Sequence, residues 1–364
     1  MTTNRISSVS PLRARVSNNS IGALRYVLAV LVVLHHVNCL MGLQIPLLLH
    51  ADTVVYAFFA LSGFFAWQSY GQAPSAGYFV KHRLLRLLPA YWAVVLVSAL
   101  GLSVVSDYTW TAYFTSSGFW KYLLANGLLL NFLAPELPGV FTGQLLSAVN
   151  GSLWYVKLEV AFTLALPVLA WGMQLFRTLT EDRAVRKGSV TRHWGLVPIG
   201  LCVWLVLSMA LFAFRFLCMG DGSLLFRYLC NFMMFLSGVV CAQSGWGISW
   251  RPAFSKICFF SLIILGIFVE WRAAIPSAYL YFLCSAVVIW AMILLFMATG
   301  IGAFFNRNNM TYSLYLCHFP VVQLALSCTS DLTAALLLTV LLLGVATPAL
   351  YYGIERRKSF FSRS

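Results

Sequence analysis

The chain has 364 residues, of which 61% are apolar and only 9% charged; mean hydropathy is +0.84 and the formal net charge is +14. A soluble domain carries about 25% charged residues, so this composition excludes a soluble enzyme, a disordered chain and a disulfide-stapled secreted domain. The excess of Lys and Arg falls between apolar runs, which gives it a topological meaning and leaves nucleic acid out of the expected partners.

Apolar runs of the ~18–25 residues that a helix needs to cross a bilayer recur along the chain. The ~10-residue alternating segments of a transmembrane barrel are absent. The expected fold is all-α, a polytopic helical membrane bundle with a basic cytoplasmic tail (1–20), a transmembrane domain (21–354) and a second basic cytoplasmic tail (355–364). In chain order the spans are expected at 21–41, 50–70, 87–105, 152–176, 195–217, 224–243, 255–272, 277–298, 311–328 and 332–353, ten in all. The first is read as a retained span, because no small-residue cleavage site follows it.

The segment 119–134 is short and carries Lys121, Asn126 and Asn131. If it does not cross and the N-terminus is cytoplasmic, the inner segments collect 19 of the 24 basic residues. If it crosses, the basic loop 177–192 moves outside, against the positive-inside rule. Ten spans with both termini cytoplasmic are therefore expected, with 119–134 re-entrant or lying along the outer interface. The nine cysteines form no C-x-x-C pair and read as small buried apolar residues. No repeat of 20–50 residues is visible.

Ionisable and imidazole side chains at membrane depth are costly and therefore functional suspects. Arg25 and His36 lie 11 residues apart, on one face of the first span; their plainer reading is a topology-setting arginine and a packed histidine. Arg83 and Arg86 are an i, i+3 pair before the third span. They anchor the helix on anionic lipid or clamp phosphate from the cytoplasm. Trp154 suits an interfacial belt at the start of the fourth span. Glu159, about two turns from the expected outer face, needs a partner; His36 at similar depth and Lys157 nearby both qualify. Tyr315 and His318, just before Pro320, suit a cavity wall or helix–helix glue. Glu355 is the only acid in the basic C-terminal tail, where an inward salt bridge is expected. No serine nucleophile elbow, metal-ligand cluster or glycine-rich phosphate loop occurs. These ingredients suit proton abstraction from a hydroxyl with an anionic donor held from inside. They also suit a proton-coupled transporter of a small molecule or sugar.

Five motifs in chain order resemble the membrane acyltransferase-3 family: Arg25-x10-His36; Phe58-Phe59-Ala60-Leu61-Ser62-Gly63-Phe64; Arg83-x-x-Arg86 followed by Pro89, Tyr91 and Trp92; Ser152-Leu153-Trp154 with Glu159; and Tyr312-Ser313-Leu314-Tyr315-Leu316-x-His318-x-Pro320, followed later by Glu355-Arg356. The resemblance covers about residues 21–358. Tyr155 and Lys157 replace the family's small or apolar residues, and Arg357 stands where a proline is usual.

The resemblance implies transfer of an acyl group, most often acetyl, from acyl-CoA to a sugar hydroxyl. The expected acceptor is an exopolysaccharide or lipopolysaccharide O-antigen, which can be lipid-linked. His36 would be the general base and Glu159 its orienter. Arg25, Arg83 and Arg86 would hold the donor phosphates, and Tyr315, His318 and Trp154 would line the cavity. Acetyl-CoA enters as substrate, with no resident cofactor or metal. The expected setting is the bacterial inner membrane, with lipid around the bundle. The fused esterase-like domain of longer members is not seen, so the membrane part is expected to complete the transfer alone or with a partner. A transporter and a regulatory or scaffolding membrane protein are the rival readings.

Overall fold

The computed structural model describes residues 20–186, 196–218, 224–243, 278–298 and 303–356. Among these the regular elements are all helical. They are α1 (Ile21–Met41), α2 (Ala51–Gln72), α3 (Ala76–Gly101, continued by a 3-10 turn, Leu102–Val105), α4 (Trp110–Thr115), α5 (Ser117–Gly127), α6 (Trp154–Arg186), α7 (Leu196–Cys218), α8 (Leu224–Gln243), α9 (Ala278–Ala298), α10 (Ala303–Arg307), α11 (Thr311–Cys328) and α12 (Leu332–Leu350, ending in a π-turn over Tyr351–Glu355).

Among the described residues, six helices are long and apolar enough to cross a membrane: α1, α3 with its 3-10 turn, α6 over Trp154–Gln174, α8, α9 over Ala278–Met297, and α12 with its π-turn. The expected spans 50–70, 195–217 and 311–328 fall on α2, α7 and α11, which are helical but outside that set. The expected span 255–272 lies outside the described residues, as do most of both tails.

The chain divides into two compact units. The first takes residues up to Leu28, Leu48–Gln72 and Leu166–Asn309. The second takes Ala29–Leu47, Ala73–Ala165 and Met310 onward. In the first unit α2 and α8 touch backbone to backbone. A Cβ on Gly63 would lie 2.0 Å from the Phe235 carbonyl oxygen, and one on Gly238 would lie 2.1 Å from the Ala60 carbonyl oxygen. Small residues that admit such approach are how helices associate where lipid removes the hydrophobic drive. The glycine of the Phe-Phe-x-Leu-Ser-Gly-Phe motif is thus a packing residue. Polar groups add to the interface: Thr53 Oγ1 meets Tyr281 Oη at 2.9 Å and Ser285 Oγ at 3.2 Å. Trp204 Nε1 donates to the Met233 carbonyl at 2.6 Å.

In the second unit α3 is the spine. Ser75 caps it, its hydroxyl accepting from the Tyr78 amide at 3.1 Å. Beside it, α4 and α5 form a descending arm. Tyr113 Oη donates to the Ala99 carbonyl at 2.7 Å. At the far end of α5, Tyr91 Oη donates to the Asn126 carbonyl at 2.8 Å and Trp92 Nε1 to the Gly127 carbonyl at 3.0 Å. Ala99 and Tyr91 are eight residues apart on α3, about 12 Å along its axis. The arm therefore runs down α3 by that amount and turns back, with Asn126 Nδ2 bridging to the Ala134 carbonyl at 2.9 Å. The arm thus folds back on itself beside α3. The last carbonyls of α5 run out of helical donors: Leu124, Ala125 and Asn126 are bonded by the amides of Leu128, Leu130 and Leu129, while Tyr91 adds a second donor to Asn126 and Trp92 supplies one to Gly127. Trp120, Leu124, Leu128 and Phe132 face outward from the arm.

From Gln144 to Ser152 the chain forms an extended strap along α11. Gln144 Nε2 donates to the Gln323 carbonyl (2.9 Å) and Ser327 Oγ (2.7 Å). Gln323 Nε2 donates to the carbonyls of Leu146 (2.5 Å) and Ala148 (3.1 Å). Asn150 Nδ2 reaches the Leu316 carbonyl at 2.9 Å, and Tyr315 Oη donates to the Ser152 carbonyl. The strap thus descends α11 from Ser327 to Tyr315, 12 residues or roughly 18 Å of helix. It delivers the start of α6 deep into the unit.

Candidate active site

Pro320 has no amide hydrogen, so the helical partner of the Leu316 carbonyl is missing. Asn150 supplies the replacement donor, while its Oδ1 accepts from the Ser152 amide (3.2 Å) and hydroxyl (2.7 Å). This fixes α11 next to the strap where it carries His318, whose side chain is fully buried.

The two histidines are joined. His318 Nε2 lies 3.0 Å from His36 Nδ1. His318 Nδ1 lies 2.6 Å from the Tyr315 carbonyl oxygen, and His36 Nδ1 lies 3.0 Å from the Val32 carbonyl oxygen. A carbonyl oxygen only accepts. In the neutral rings both Nδ1 atoms therefore carry hydrogen, and the network assigns the tautomers. His318 Nε2 is then a bare acceptor for His36 Nδ1–H. The remaining nitrogen, His36 Nε2, holds a lone pair and has no hydrogen-bond partner among the described residues. The Phe319 ring stands edge-on to His36 at 5.3 Å, and His35 packs against its other side at 5.3 Å.

A second polar layer lies toward the N-terminal ends of α3 and α11. Arg83 Nη2 bonds Glu159 Oε1 at 2.6 Å, and both side chains are buried. Arg86, one turn further along α3, is exposed. It lies within electrostatic reach of Arg83, Glu159, Glu355 and Tyr312, yet its guanidinium makes no hydrogen bond among the described residues. The π-turn at the end of α12 brings Glu355 to Ser313, whose hydroxyl donates to it at 2.6 Å. Tyr312 Oη donates to the Leu87 carbonyl at 2.9 Å.

Two expectations need correction. Glu159 does not orient His36; its carboxylate is bonded to Arg83, and the imidazole partner of His36 is His318. Counting depth from Ser152 as an outer-surface residue misplaced Glu159, because the strap carries Ser152 down to the level of Tyr315 before α6 begins. Arg83 and Arg86 are not an equivalent pair: the first is buried in an ion pair with Glu159, and the second makes no hydrogen bond among the described residues. Lys157, the other partner weighed for Glu159, sits 4.6 Å over the Phe132 ring beyond the turn of the arm.

The remaining site residues fall as follows. Trp154 is the half-buried first residue of α6, and the adjacent Tyr155 ring lies 5.3 Å from that of Tyr315. Arg25 belongs to the first unit, where its guanidinium lies 4.8 Å over the Phe65 ring. Asn150 was not singled out from the sequence. The signal that could have found it is Pro320, whose missing amide requires a foreign donor. Among the described residues no cluster of three or more His, Cys, Asp or Glu could hold a metal ion.

The helices and the intramembrane imidazole pair define a multi-pass membrane protein with acid–base groups in its interior. The acyltransferase-3 model, described as an acyltransferase domain, matches residues 18–353, and the chain belongs to that family. It is therefore a membrane acyltransferase, and the transporter reading finds no support there. No curated protein and no solved structure matches the chain.

Proposed function

We infer that the protein is an O-acetyltransferase of the bacterial inner membrane that moves an acetyl group from acetyl-CoA to a sugar hydroxyl of an exopolysaccharide or O-antigen. The observation that carries this reading is the free lone pair on His36 Nε2, fixed by the bond from its Nδ1 to His318. In the reaction the acceptor hydroxyl gives its proton to His36 Nε2 as its oxygen attacks the thioester carbonyl. The carbon–sulfur bond breaks, and coenzyme A leaves as a thiolate that takes up a proton. His318 acts through His36 as a positioning residue, since its Nε2 already accepts the Nδ1–H of the imidazolium. Arg86 is the phosphate clamp for the donor, while Arg83 and Glu159 tie α3 to α6 behind it. Ten crossings with both termini cytoplasmic put Arg86 on the side from which acetyl-CoA arrives.

The test uses membranes containing the full chain, labelled acetyl-CoA, and envelope polysaccharide from a strain lacking the gene. His36→Ala is expected to lower acetyl transfer by ~10²–10⁴, the usual worth of a general base, with normal amounts of protein in the membrane. Transfer at the wild-type rate would refute the assignment of the base.

A further inference from the structure

The mechanism above uses one of the two adjacent histidines of α1 and leaves the other. His35 Nε2 lies 3.7 Å from the sulfur of Cys39, one turn further along the helix. His35, His36, Cys39 and α11 all belong to the second unit. Cys39 is exposed, but not on the outward side of α1. At about 100° per residue it falls within about 20° of Leu28 and Val32, both buried. The exposed side chains of Val27 and Val30 lie about 120° and 180° away from it. The packed stripe of the helix therefore opens at Cys39. The loop that follows α1 is tied elsewhere: Asn38, about 100° round from Cys39, bonds the Ile45 amide at 3.0 Å and the Ile45 carbonyl at 2.8 Å. His36 stands between this opening and α11, because Val37 and Leu40, on its other flank, pack with Phe319 and Val322. His36 and Cys39 are an i, i+3 pair, which sets their Cβ atoms about 5–6 Å apart. Cys328, the other exposed cysteine among the described residues, has no imidazole against its sulfur there.

A thiol with an imidazole against it is the makeup of an activated sulfur nucleophile, and here a second imidazole stands one turn away to serve an incoming hydroxyl. We propose that Cys39 is an acyl carrier: the acetyl group passes from coenzyme A to the Cys39 sulfur, and from Cys39 to the acceptor. In the first step the Cys39 thiol gives its proton to His35 Nε2 as its sulfur attacks the thioester carbonyl. The bond from that carbon to the coenzyme A sulfur breaks, and the leaving thiolate takes the proton from His35. One thioester replaces another, so the step needs no further energy source. In the second step the acceptor hydroxyl gives its proton to His36 Nε2 as its oxygen attacks the acetyl carbonyl on Cys39. The carbon–sulfur bond breaks, and the Cys39 thiolate takes that proton back from His36. The proposal rests on the acyl-CoA reading above and adds a covalent stage to it: His36 keeps its part with the acceptor, and coenzyme A leaves one step earlier. Donor and acceptor then occupy the site in turn.

Membranes containing the full chain, acetyl-CoA and labelled coenzyme A, with no acceptor present, test the carrier directly, since a covalent intermediate exchanges its leaving group. The wild type should move label into acetyl-CoA above the level of membranes lacking the protein, and should hold hydroxylamine-labile acetyl on the peptide that contains Cys39. Cys39→Ala should lose the exchange, and its transfer to polysaccharide should fall to that of His36→Ala, with normal amounts of protein in the membrane. His36→Ala should keep the exchange while losing transfer, a split that a merely structural contact between His35 and Cys39 would not produce. Cys328→Ala should match the wild type in both assays. A wild type that acetylates polysaccharide from acetyl-CoA yet shows no exchange overturns the carrier and leaves the acyl-CoA reading standing. So does transfer at the wild-type rate by Cys39→Ala. A wild type that neither exchanges nor transfers from acetyl-CoA removes the acyl-CoA reading, and the carrier with it.

Discussion

Removing the Glu159 carboxylate should harm the protein more than removing the Arg83 guanidinium. Glu159 is 4% exposed and Arg83 8%, and breaking a buried pair typically costs about 3–5 kcal/mol because the survivor is left uncompensated. The two survivors differ. After Arg83→Met, Glu159 still has Arg86 within electrostatic reach, so the loss should fall at or below the lower end of that range. After Glu159→Gln, Arg83 and Arg86 repel each other one turn apart without the carboxylate between them, and the full range applies. A cost of about 3 kcal/mol is roughly a 150-fold change in the folded fraction, readable as thermal or protease resistance of the purified protein in detergent. The double variant Arg83→Met, Glu159→Leu should recover most of the loss, since apolar replacement of a buried pair is often close to neutral. Donor KM separates the competing role. If Arg83 gripped the donor, Arg83→Met would leave stability within ~0.5 kcal/mol of wild type and raise the KM for acetyl-CoA, and that pair of results would refute the assignment of Arg83 to structure.

Two further outcomes follow from packing. Gly63→Ala sets a methyl against the Phe235 carbonyl and should destabilise by about 1–3 kcal/mol, the usual cost of overpacking, with Gly63→Leu failing to accumulate; wild-type accumulation of Gly63→Leu would show that α2 and α8 do not touch there. Asn150→Leu leaves the Leu316 carbonyl without its donor and should cost about 1–3 kcal/mol, and it should lower kcat for acetyl transfer more than it raises donor KM, because it loosens the helix turn that holds His318; a rise in donor KM alone would place its role elsewhere.

Hydropathy made the long apolar helices legible, whereas 119–134, short and interrupted by Lys121, Asn126 and Asn131, stayed ambiguous by hydropathy and was kept out of the span count by the distribution of Lys and Arg alone. The partners those polar residues find were beyond it. Asn126 caps the turn of the arm with Tyr91 and Trp92, residues 35 positions away, and only the folded backbone brings them together. His36 and His318 were each visible as costly intramembrane imidazoles, yet their bond joins residues 282 apart and no spacing rule reaches that far. Glu159 was misread for a physical reason. A hydropathy profile assigns depth by counting inward from the last polar residues, and that count fails when an extended strap enters the protein ahead of the helix. Gln323, with no exposed surface, was the available warning. A glutamine buried that deeply on an apolar helix implies backbone groups nearby that need its amide, and those groups are the carbonyls of the strap.

The two polar layers share α11, and their separation follows from it. Ser313 binds Glu355 in the charged layer, and His318 lies five residues later, about 7.5 Å along the axis. α3 contributes Arg83 and Arg86 to the charged layer. Burial assigns Arg83 to the frame in this arrangement, since its Nη2 is already bonded to the buried Glu159 carboxylate at 2.6 Å. The two arginines of one short motif thus differ in role: one is bonded to a carboxylate of α6, and the other lies within electrostatic reach of the same carboxylate and of Glu355 without a hydrogen bond among the described residues.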